Sequence, residues 1–204
     1  RTDMNKVLIW DWPVRIGHWL LVGAFALAWI TGDSEEWRLV HACAGGTVVG
    51  VILFRLLWGI AGTRHARFTS FVRGPGAVLD YVFGLLRGDE SKYAGHNAAG
   101  AWAIVALLAL GLLTGASGWL VYQDMVGEWL EEVHEALASG MLTVAAVHVA
   151  GVIVSSLAHR ENLVRAMLTG FKQGRPDEAI SGARLLVLPP MLGFVAACAW
   201  WLAR

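Results

Sequence analysis

Two histidines, His134 and His148, stand 14 residues apart in a stretch whose composition predicts one membrane-spanning helix. Fourteen residues at about 100° each come to within about 40° of four full turns, so both imidazoles are expected on one helix face. The rise between them is about 21 Å, which places one ring near each side of a hydrocarbon core about 30 Å thick. This spacing suits two bis-histidine haems, one above the other, an arrangement that carries electrons across a membrane.

The elements that position these histidines are predicted from the apolar runs of the chain. Its 204 residues are 56% hydrophobic and 16% charged, whereas average soluble proteins carry about 25% charged residues. Apolar runs long enough to span a bilayer are predicted at about 14–32, 39–61, 96–121, 135–158 and 185–203. We therefore predict an all-α membrane protein: a four-helix transmembrane haem-binding bundle plus a fifth C-terminal transmembrane helix.

The bundle is predicted to occupy residues 1–175, and residues 176–204 to form a linker and the fifth helix. The segment 75–88 is apolar but too short to span, and its flanking arginines favour a helix that lies in the membrane interface. The Pro189-Pro190 pair predicts that the fifth helix is kinked or broken.

The distribution of basic residues predicts the orientation. Of 16 Lys and Arg residues, 14 fall in the N-terminal tail, around the end of the second span and the loop after it, or before the fifth span. Only Arg38 and Arg204 fall on the other side. By the positive-inside rule, the N-terminus is cytoplasmic and the C-terminus lies outside. The outer loops carry seven carboxylates against Arg38, so the outer face is expected to be acidic.

This topology sorts the histidines by depth. His18, near the cytoplasmic start of the first span, is matched with His148, and His41, near the outer start of the second span, is matched with His134. Each pair is predicted to ligate one low-spin haem iron through neutral imidazole nitrogens from facing helices. Neither cysteine belongs to a CxxCH motif, which excludes covalent haem attachment.

Three more polar residues are candidates for contacts with the haem or with a quinone. Arg55 lies 14 residues after His41 on the same face, so its cation is expected beside a propionate of the cytoplasmic haem, or else it snorkels at the helix end. His96 and Asn97 begin the third span at that level and are expected to bond a propionate or a quinone carbonyl, or else to form a polar helix start among the headgroups. The remaining histidines are expected to be solvated and not ligands: His65 and His159.

Five stretches carry a resemblance to a known family: WPVRIGHWLL (12–21), HACAGGTVVGVILFRLLWG (41–59), YAGHNAAGAWA (93–103), HEALASGMLTVAAVHVAGVIVSS (134–156) and ENLVRAMLTG (161–170). Over about residues 7–175 the chain resembles the bacterial cytochrome b561 / nickel-dependent hydrogenase b-type cytochrome family. The resemblance implies a bundle in the bacterial inner membrane that holds two b-type haems. The resemblance implies that the axial haem ligands are His18, His41, His134 and His148.

The resemblance also implies a function, and the residues leave alternatives open. Members of the family pass electrons between the quinone pool and a periplasmic partner such as a c-type cytochrome, a hydrogenase or another dehydrogenase. The leading expectation is such a diheme conduit, with quinone as an exchangeable substrate. The alternative is a self-contained superoxide:quinone oxidoreductase, which the acidic outer loops disfavour, and a remote one is a metal-ion transporter. We expect the chain to contact membrane lipid and to bind no nucleic acid. The sequence is compatible with an oligomer. It leaves open whether the chain is itself an enzyme.

Overall fold

The computed structural model describes residues 5–74, 76–87, 95–125 and 127–204, and within them the chain is mostly helical. The helices are α1 (Trp12–Thr31), α2 (Arg38–Ala61), α3 (Phe68–Phe71), α4 (Gly76–Leu86), α5 (Ala98–Tyr122), α6 (Trp129–Ala158), α7 (Leu163–Thr169) and α8 (Leu188–Leu202). Two short strands are also present, β1 (Asn5–Leu8) and β2 (Phe171–Gly174). The helices α1, α2, α5, α6 and α8 are long and apolar enough to cross a membrane, α2 and α8 together with the short 3₁₀ turns before them. The predicted all-α, multi-pass membrane fold is confirmed.

Two of the spanning helices begin at side-chain caps that the sequence supplies. Asp11 caps α1, because its carboxylate accepts a hydrogen bond of 2.9 Å from the backbone N–H of Val14. Pro13 stands in the first turn of α1, where no intrahelical partner is lost. Asn97 caps α5 in the same way, through a bond of 2.7 Å from the N–H of Gly100. Both caps satisfy N–H groups that the first turn of a helix leaves without a partner.

The bundle consists of two packed helix pairs. Helix α1 lies against α2, α5 lies against α6, and α2 also packs on α5, which joins the pairs. Buried apolar side chains fill the centre; they are Ala24, Val48, Ile52, Leu108 and Met141. Among the described residues, α6 packs extensively on only one spanning helix, α5, so it faces α1 and α2 across a gap.

The fifth span, α8, packs along α2 outside this bundle. A Cβ at Gly46 would stand 2.8 Å from Cα of Ala199, and one at Gly50 would stand 2.9 Å from Cβ of Cys198, so two glycines let the helices approach closely. A 3₁₀ turn, Leu185–Val187, precedes α8 within the predicted fifth span, and the predicted kink or break of that helix stays a prediction. Its two prolines stand in the first turn, where a missing N–H breaks no helical hydrogen bond.

Replacing Gly46 by alanine is expected to destabilise the protein by about 1–3 kcal/mol, since the clash is with backbone that cannot rotate aside. Thermal unfolding of the purified protein in detergent measures the effect. Gly193→Ala is the matched control, because nothing lies within 4 Å of its Cβ position. Equal midpoints for the two variants would show that α8 does not depend on this contact.

A small sheet, which the sequence did not predict, closes the end of the bundle where α1 begins and α2 ends. β1 pairs antiparallel with β2, with Leu8 opposite Phe171. We call β1, β2, α7 and the loop after α2 the terminal cap. Buried apolar side chains of the cap pack with those of the segment after β1 and of the start of α1; they are Val7, Ile9, Trp10, Val14, Ala66 and Ala166. The side chain of Arg15 ties α1 to the cap by donating to the carbonyl of Leu168.

The segment predicted as an interfacial helix contains α4, while residues 75 and 88 lie outside the described part of the chain. Tyr81 is buried, and its hydroxyl lies 3.0 Å from the hydroxyl of Ser155 on α6. Leu79 and Phe83 on the same helix are exposed. One side of α4 therefore docks on the bundle and leaves apolar side chains outward, as a helix in the membrane interface would; its position in the membrane stays a prediction.

Candidate functional site

The structure brings His41 and His134 together from α2 and α6. Their ring centroids lie 6.1 Å apart and their planes are inclined by 78°. Metal–nitrogen bonds of about 2 Å on each side, plus about 1 Å from nitrogen to ring centre, give a centroid separation of about 6 Å. The separation in this outer pair therefore fits two imidazoles that share one metal ion between them.

Backbone carbonyls select which nitrogen of each outer ring remains available. Nδ1 of His41 donates to the carbonyl of Ala28 at 2.8 Å. Nδ1 of His134 donates to the carbonyl of Thr114 at 3.0 Å, with the hydroxyl of Ser117 3.2 Å away. A carbonyl only accepts, so Nδ1 carries the proton and Nε2 keeps its lone pair. This is the tautomer that a metal-ligating histidine adopts when a second group orients it.

The inner pair, His18 of α1 and His148 of α6, forms at the other end of the bundle. The two imidazoles lie close enough to interact electrostatically. His96 and Arg55 lie in the same neighbourhood. Nδ1 of His18 is buried without a hydrogen-bond partner among the described residues. The structure therefore brings together the histidines that the sequence matched by depth.

Space beside the histidines comes from glycines and from the gap in front of α6. Gly118 leaves room for the ring of His134, since a Cβ there would stand 2.7 Å from Cε1 of that ring. Gly45, one turn after His41, and Gly151, about one turn after His148, have nothing within 4 Å of their Cβ positions. A planar macrocycle needs open faces of this kind next to its axial ligands. The residues present therefore fit a haem, which a histidine pair would hold.

Arg55 lies beside the inner pair and retains an unused hydrogen-bond donor. Its guanidinium sits over the ring of Phe68, 4.9 Å from the centroid, and 5.9 Å from that of Phe71. One terminal nitrogen is buried and has no hydrogen-bond partner among the described residues. A buried cationic donor of this kind is costly unless an anion joins it. The position suits a carboxylate from a bound group.

His96 is enclosed by aromatic rings at the edge of the terminal cap. Its ring centroid lies 4.6 Å from that of Trp10 and 4.7 Å from that of Phe71. Burial, followed by the nearby charge of Arg55, lowers the pKa of His96 to about 3, so its imidazole is neutral at physiological pH. Its buried Nδ1 has no hydrogen-bond partner in the described part of the chain.

Asn97, by contrast, uses all of its side chain to hold helices together. Its oxygen caps α5 at Gly100, and its NH₂ group donates to the hydroxyl of Tyr81 at 2.9 Å and to that of Ser155 at 3.2 Å. The residue thus joins α4, α5 and α6. A bound group would gain a bond from Asn97 only if one of these contacts were given up.

The expectation that His65 is solvated is wrong. It is buried, and its Nε2 donates to the carbonyl of Glu178 at 2.7 Å, which fastens the loop after α2 to the chain after β2. His159 is half-buried and follows the last residue of α6. The terminal cap encloses His65 because β1 pairs with β2 and brings the chain after β2 against the loop after α2. This pairing could not be predicted from the sequence, so His65 was expected to lie in an open loop.

Sequence reasoning missed the residues that hold the site in place. Asp11 is fully buried and accepts bonds from the indole N–H of Trp58 at 2.9 Å and from the hydroxyl of Thr63 at 2.7 Å. An aspartate directly before Trp12-Pro13 is a detectable N-cap signal. The carbonyls that orient the outer histidines carry no signal, because every residue has one.

Comparison with known proteins agrees with this geometry. A family model described as prokaryotic cytochrome b561 matches residues 9–170. The chain belongs to the prokaryotic cytochrome b561 family. The matched range contains all four spanning helices of the bundle and both histidine pairs.

Relatives of this cytochrome are known from several bacteria. It is 23% identical to a protein of Rhodobacter capsulatus over 85% of this chain and 84% of the relative. It is 24% identical to a protein of Azotobacter vinelandii, over 85% of this chain and 92% of the relative. Each of these proteins is named a probable Ni/Fe-hydrogenase B-type cytochrome subunit. No solved structure matches the chain.

Membership makes the protein a membrane b-type cytochrome that takes part in electron transfer. A b-type cytochrome holds haem b through side-chain ligands and without a covalent link. The histidine pairs of the bundle are the residues of this cytochrome that fit that cofactor.

Proposed function

We propose that the protein is a diheme b-type cytochrome that moves electrons across the bacterial inner membrane, between the quinone pool and a periplasmic redox partner. The arrangement of the histidines carries the proposal: two pairs share α6 and lie about 21 Å apart along it. Haem iron supplies one-electron chemistry when it is bound. The protein's own part is to hold the two sites at fixed depths in a medium that excludes water.

The histidines stand in pairs, and this favours haem over a transported metal ion. Among the described residues, no three His, Cys, Asp or Glu side chains come together as a possible metal site. A bare ion needs about four ligands from the protein, whereas a porphyrin fills four positions of its iron and leaves two axial ones. One imidazole from α6 and one from α1 or α2 would hold such a group from two facing helices.

The side chains around the inner pair favour a carboxylate-bearing cofactor at this depth. We propose that Arg55 and His96 line the edge at which the propionates of the inner haem lie, since both have buried nitrogens without partners among the described residues. A charge-assisted bond from a guanidinium to a carboxylate is strong where water is excluded. We propose that quinone reacts near the inner pair. The aromatic rings of Trp10 and Phe71 beside His96 offer a quinone ring an apolar surface there.

The proposed orientation puts the terminal cap in the cytoplasm and the outer pair near the periplasm, with the C-terminus outside. It follows from the bias in Lys and Arg positions. Arg38, the cation of the outer loops, donates to the carbonyl of Tyr122 at 3.2 Å and is thereby held at the α2–α5 junction. The outer loops otherwise carry carboxylates, which would repel an anion such as superoxide, so we propose the conduit in preference to superoxide oxidation.

The acidic outer surface and the names of the relatives indicate what the periplasmic partner is. Exposed carboxylates surround the outer pair, and such a surface attracts a basic protein such as a c-type cytochrome. They are Asp33, Glu35, Glu36, Asp124, Glu128, Glu131 and Glu132. The relatives are named as hydrogenase subunits, so a hydrogenase is the second kind of partner that we propose.

A haem count tests the proposal. We expect the protein, purified from membranes with an adequate haem supply, to show about two haems b per chain by pyridine haemochrome assay, since each histidine pair takes one. Its reduced-minus-oxidised spectrum is expected to be that of low-spin haem b. A chain without haem, or one that binds a bare metal ion instead, would overturn the proposal.

A further inference from the structure

A lysine lies buried in the terminal cap, and the proposed electron transfer does not use it. Lys172 is 7% exposed, whereas its neighbours on β2, Phe171 and Gln173, are exposed. Because alternate residues of a strand share a face, the ammonium group is directed away from solvent. A buried ammonium is costly even when it is paired, and an apolar side chain would fill the same space without that cost. The lysine therefore indicates a use for its amine beyond packing.

On its outer side, Lys172 meets carboxylates that reach the surface. Its Nζ lies 3.5 Å from Oε2 of Glu161, whose side chain is 22% exposed. The other oxygen of Glu161 accepts the backbone N–H of Gln173 at 3.0 Å, which fixes the carboxylate in place. A second partly exposed carboxylate, that of Glu178, also acts on the ammonium. Protons can therefore pass between water and the amine of Lys172 through Glu161.

On its inner side, Lys172 lies near enough to His96 to act on it electrostatically. His96 stands beside the inner histidine pair with its ring 4.6 Å from that of Trp10, and its buried Nδ1 has no hydrogen-bond partner among the described residues. A neutral imidazole can accept a proton and release one, because it has both an acceptor and a donor nitrogen. Arg55 cannot do this, since a guanidinium in a protein keeps its protons.

The environment of Lys172 also makes its ammonium a better acid. Burial lowers the pKa of this amine, while the charges of Glu161 and Glu178 act in the opposite direction. A lower pKa brings the release of a proton closer to neutral pH, where an exposed lysine holds its proton firmly. The amine thus stands between a surface carboxylate and an imidazole, and it can exchange a proton with each.

We propose that the terminal cap conducts protons between the water on its side of the membrane and a quinone beside the inner pair, through Glu161, Lys172 and His96. This rests on the proposed quinone reaction and names the residues that serve it. A quinone takes two electrons and two protons to become the quinol, and the reduced periplasmic partner supplies the electrons. For each proton, His96 gives one to a quinone oxygen and takes one from Lys172, which regains its proton from water through Glu161. Oxidation of the quinol reverses each transfer.

Lys172→Arg tests the route, because it keeps the positive charge beside Glu161 but removes a group that can release a proton. The purified holoprotein is reduced with dithionite, freed of the excess and mixed with decylubiquinone, a short-chain quinone, and haem oxidation is followed by absorbance. We expect the rate to fall about tenfold or more, while the haem spectrum and the thermal midpoint stay native. Lys6→Arg is the matched control, since it makes the same change at an exposed position on the paired strand β1. A native rate in Lys172→Arg would overturn the inference.

Two further measurements separate proton transfer from a structural role. The affinity for decylubiquinone, measured by calorimetry on the oxidised protein, is expected to stay native in Lys172→Arg and to fall in His96→Ala, because His96 alone of these residues faces the quinone. Haem oxidation in the native protein is expected to slow in heavy water. A loss of affinity in Lys172→Arg that accounts for its loss of rate would overturn the relay and show a distorted site instead.

Glu161→Gln tests the entrance of the route at the surface. The variant keeps an acceptor for the N–H of Gln173 and loses the group that exchanges protons, so the same step is expected to slow, by less than in Lys172→Arg because Glu178 remains nearby. A native rate here would overturn the route even if Lys172→Arg did not fold. Haems of the native protein that decylubiquinone does not oxidise would overturn the quinone reaction itself, whereas equal rates in all variants would overturn only this inference.

Discussion

His134→Ala is expected to halve the haem content of the purified protein, from about two haems per chain to about one. The outer pair then has a single imidazole, and a b-type haem without a covalent link depends on its axial ligands and packing. His148→Ala is expected to give the same count by emptying the inner site. Pyridine haemochrome assay and the amplitude of the reduced-minus-oxidised spectrum measure both.

Double variants test the pairing. His41→Ala with His134→Ala is expected to lose no more haem than either single change, because both residues serve one site. His18→Ala with His134→Ala is expected to lose both haems. His159→Ala is the matched control, since it lies at the end of the same helix without a place in either pair, and it is expected to keep both. If the first double variant lost both haems, the pairing would be wrong.

Asp11→Ala is expected to destabilise the protein by about 3 kcal/mol or more, the largest stability effect of a single change outside the histidine pairs. The carboxylate caps α1 and also binds Trp58 and Thr63, so its removal leaves three donors without an acceptor in a fully buried place. An effect of this size lowers the thermal midpoint by about 10 °C in a chain of this length. Circular dichroism of the protein in detergent measures it.

Two further variants show whether the charge or the hydrogen bonds of Asp11 matter. Asp11→Asn keeps an acceptor oxygen and is expected to lie between the native protein and Asp11→Ala. Asp80→Ala removes an exposed carboxylate from α4 and is expected to have almost no effect. A midpoint for Asp11→Ala close to that of Asp80→Ala would show that α1 and the terminal cap do not depend on this residue.

The spanning helices were predictable because lipid imposes a simple rule on composition. A segment that crosses the bilayer must be apolar over about 20 residues and must satisfy its own backbone, so the five spans appear directly in the sequence. The spacing of the histidines along their helices followed from the rise of a helix. Composition, charge bias and helical rise are together enough to match His41 with His134.

The terminal cap was not predictable in this way. Strands β1 and β2 have four residues each and lie at opposite ends of the bundle sequence, so neither has a local signal strong enough to identify it. Their pairing buries His65, which the sequence left in a solvated loop. The position of α8 was also decided by contacts, since Gly46 and Gly50 look the same whether they face a helix, a haem or lipid.

The sequence by itself determined the membrane fold and the spacing of the histidines along their helices, because both depend on composition and on helical rise along one chain. The tertiary structure alone decided which nitrogen of each outer ring is free, where Arg55 points and which glycines leave open space. These properties depend on backbone carbonyls, ring contacts and distances between helices. No residue type records them, because they arise only where separate segments of the chain meet.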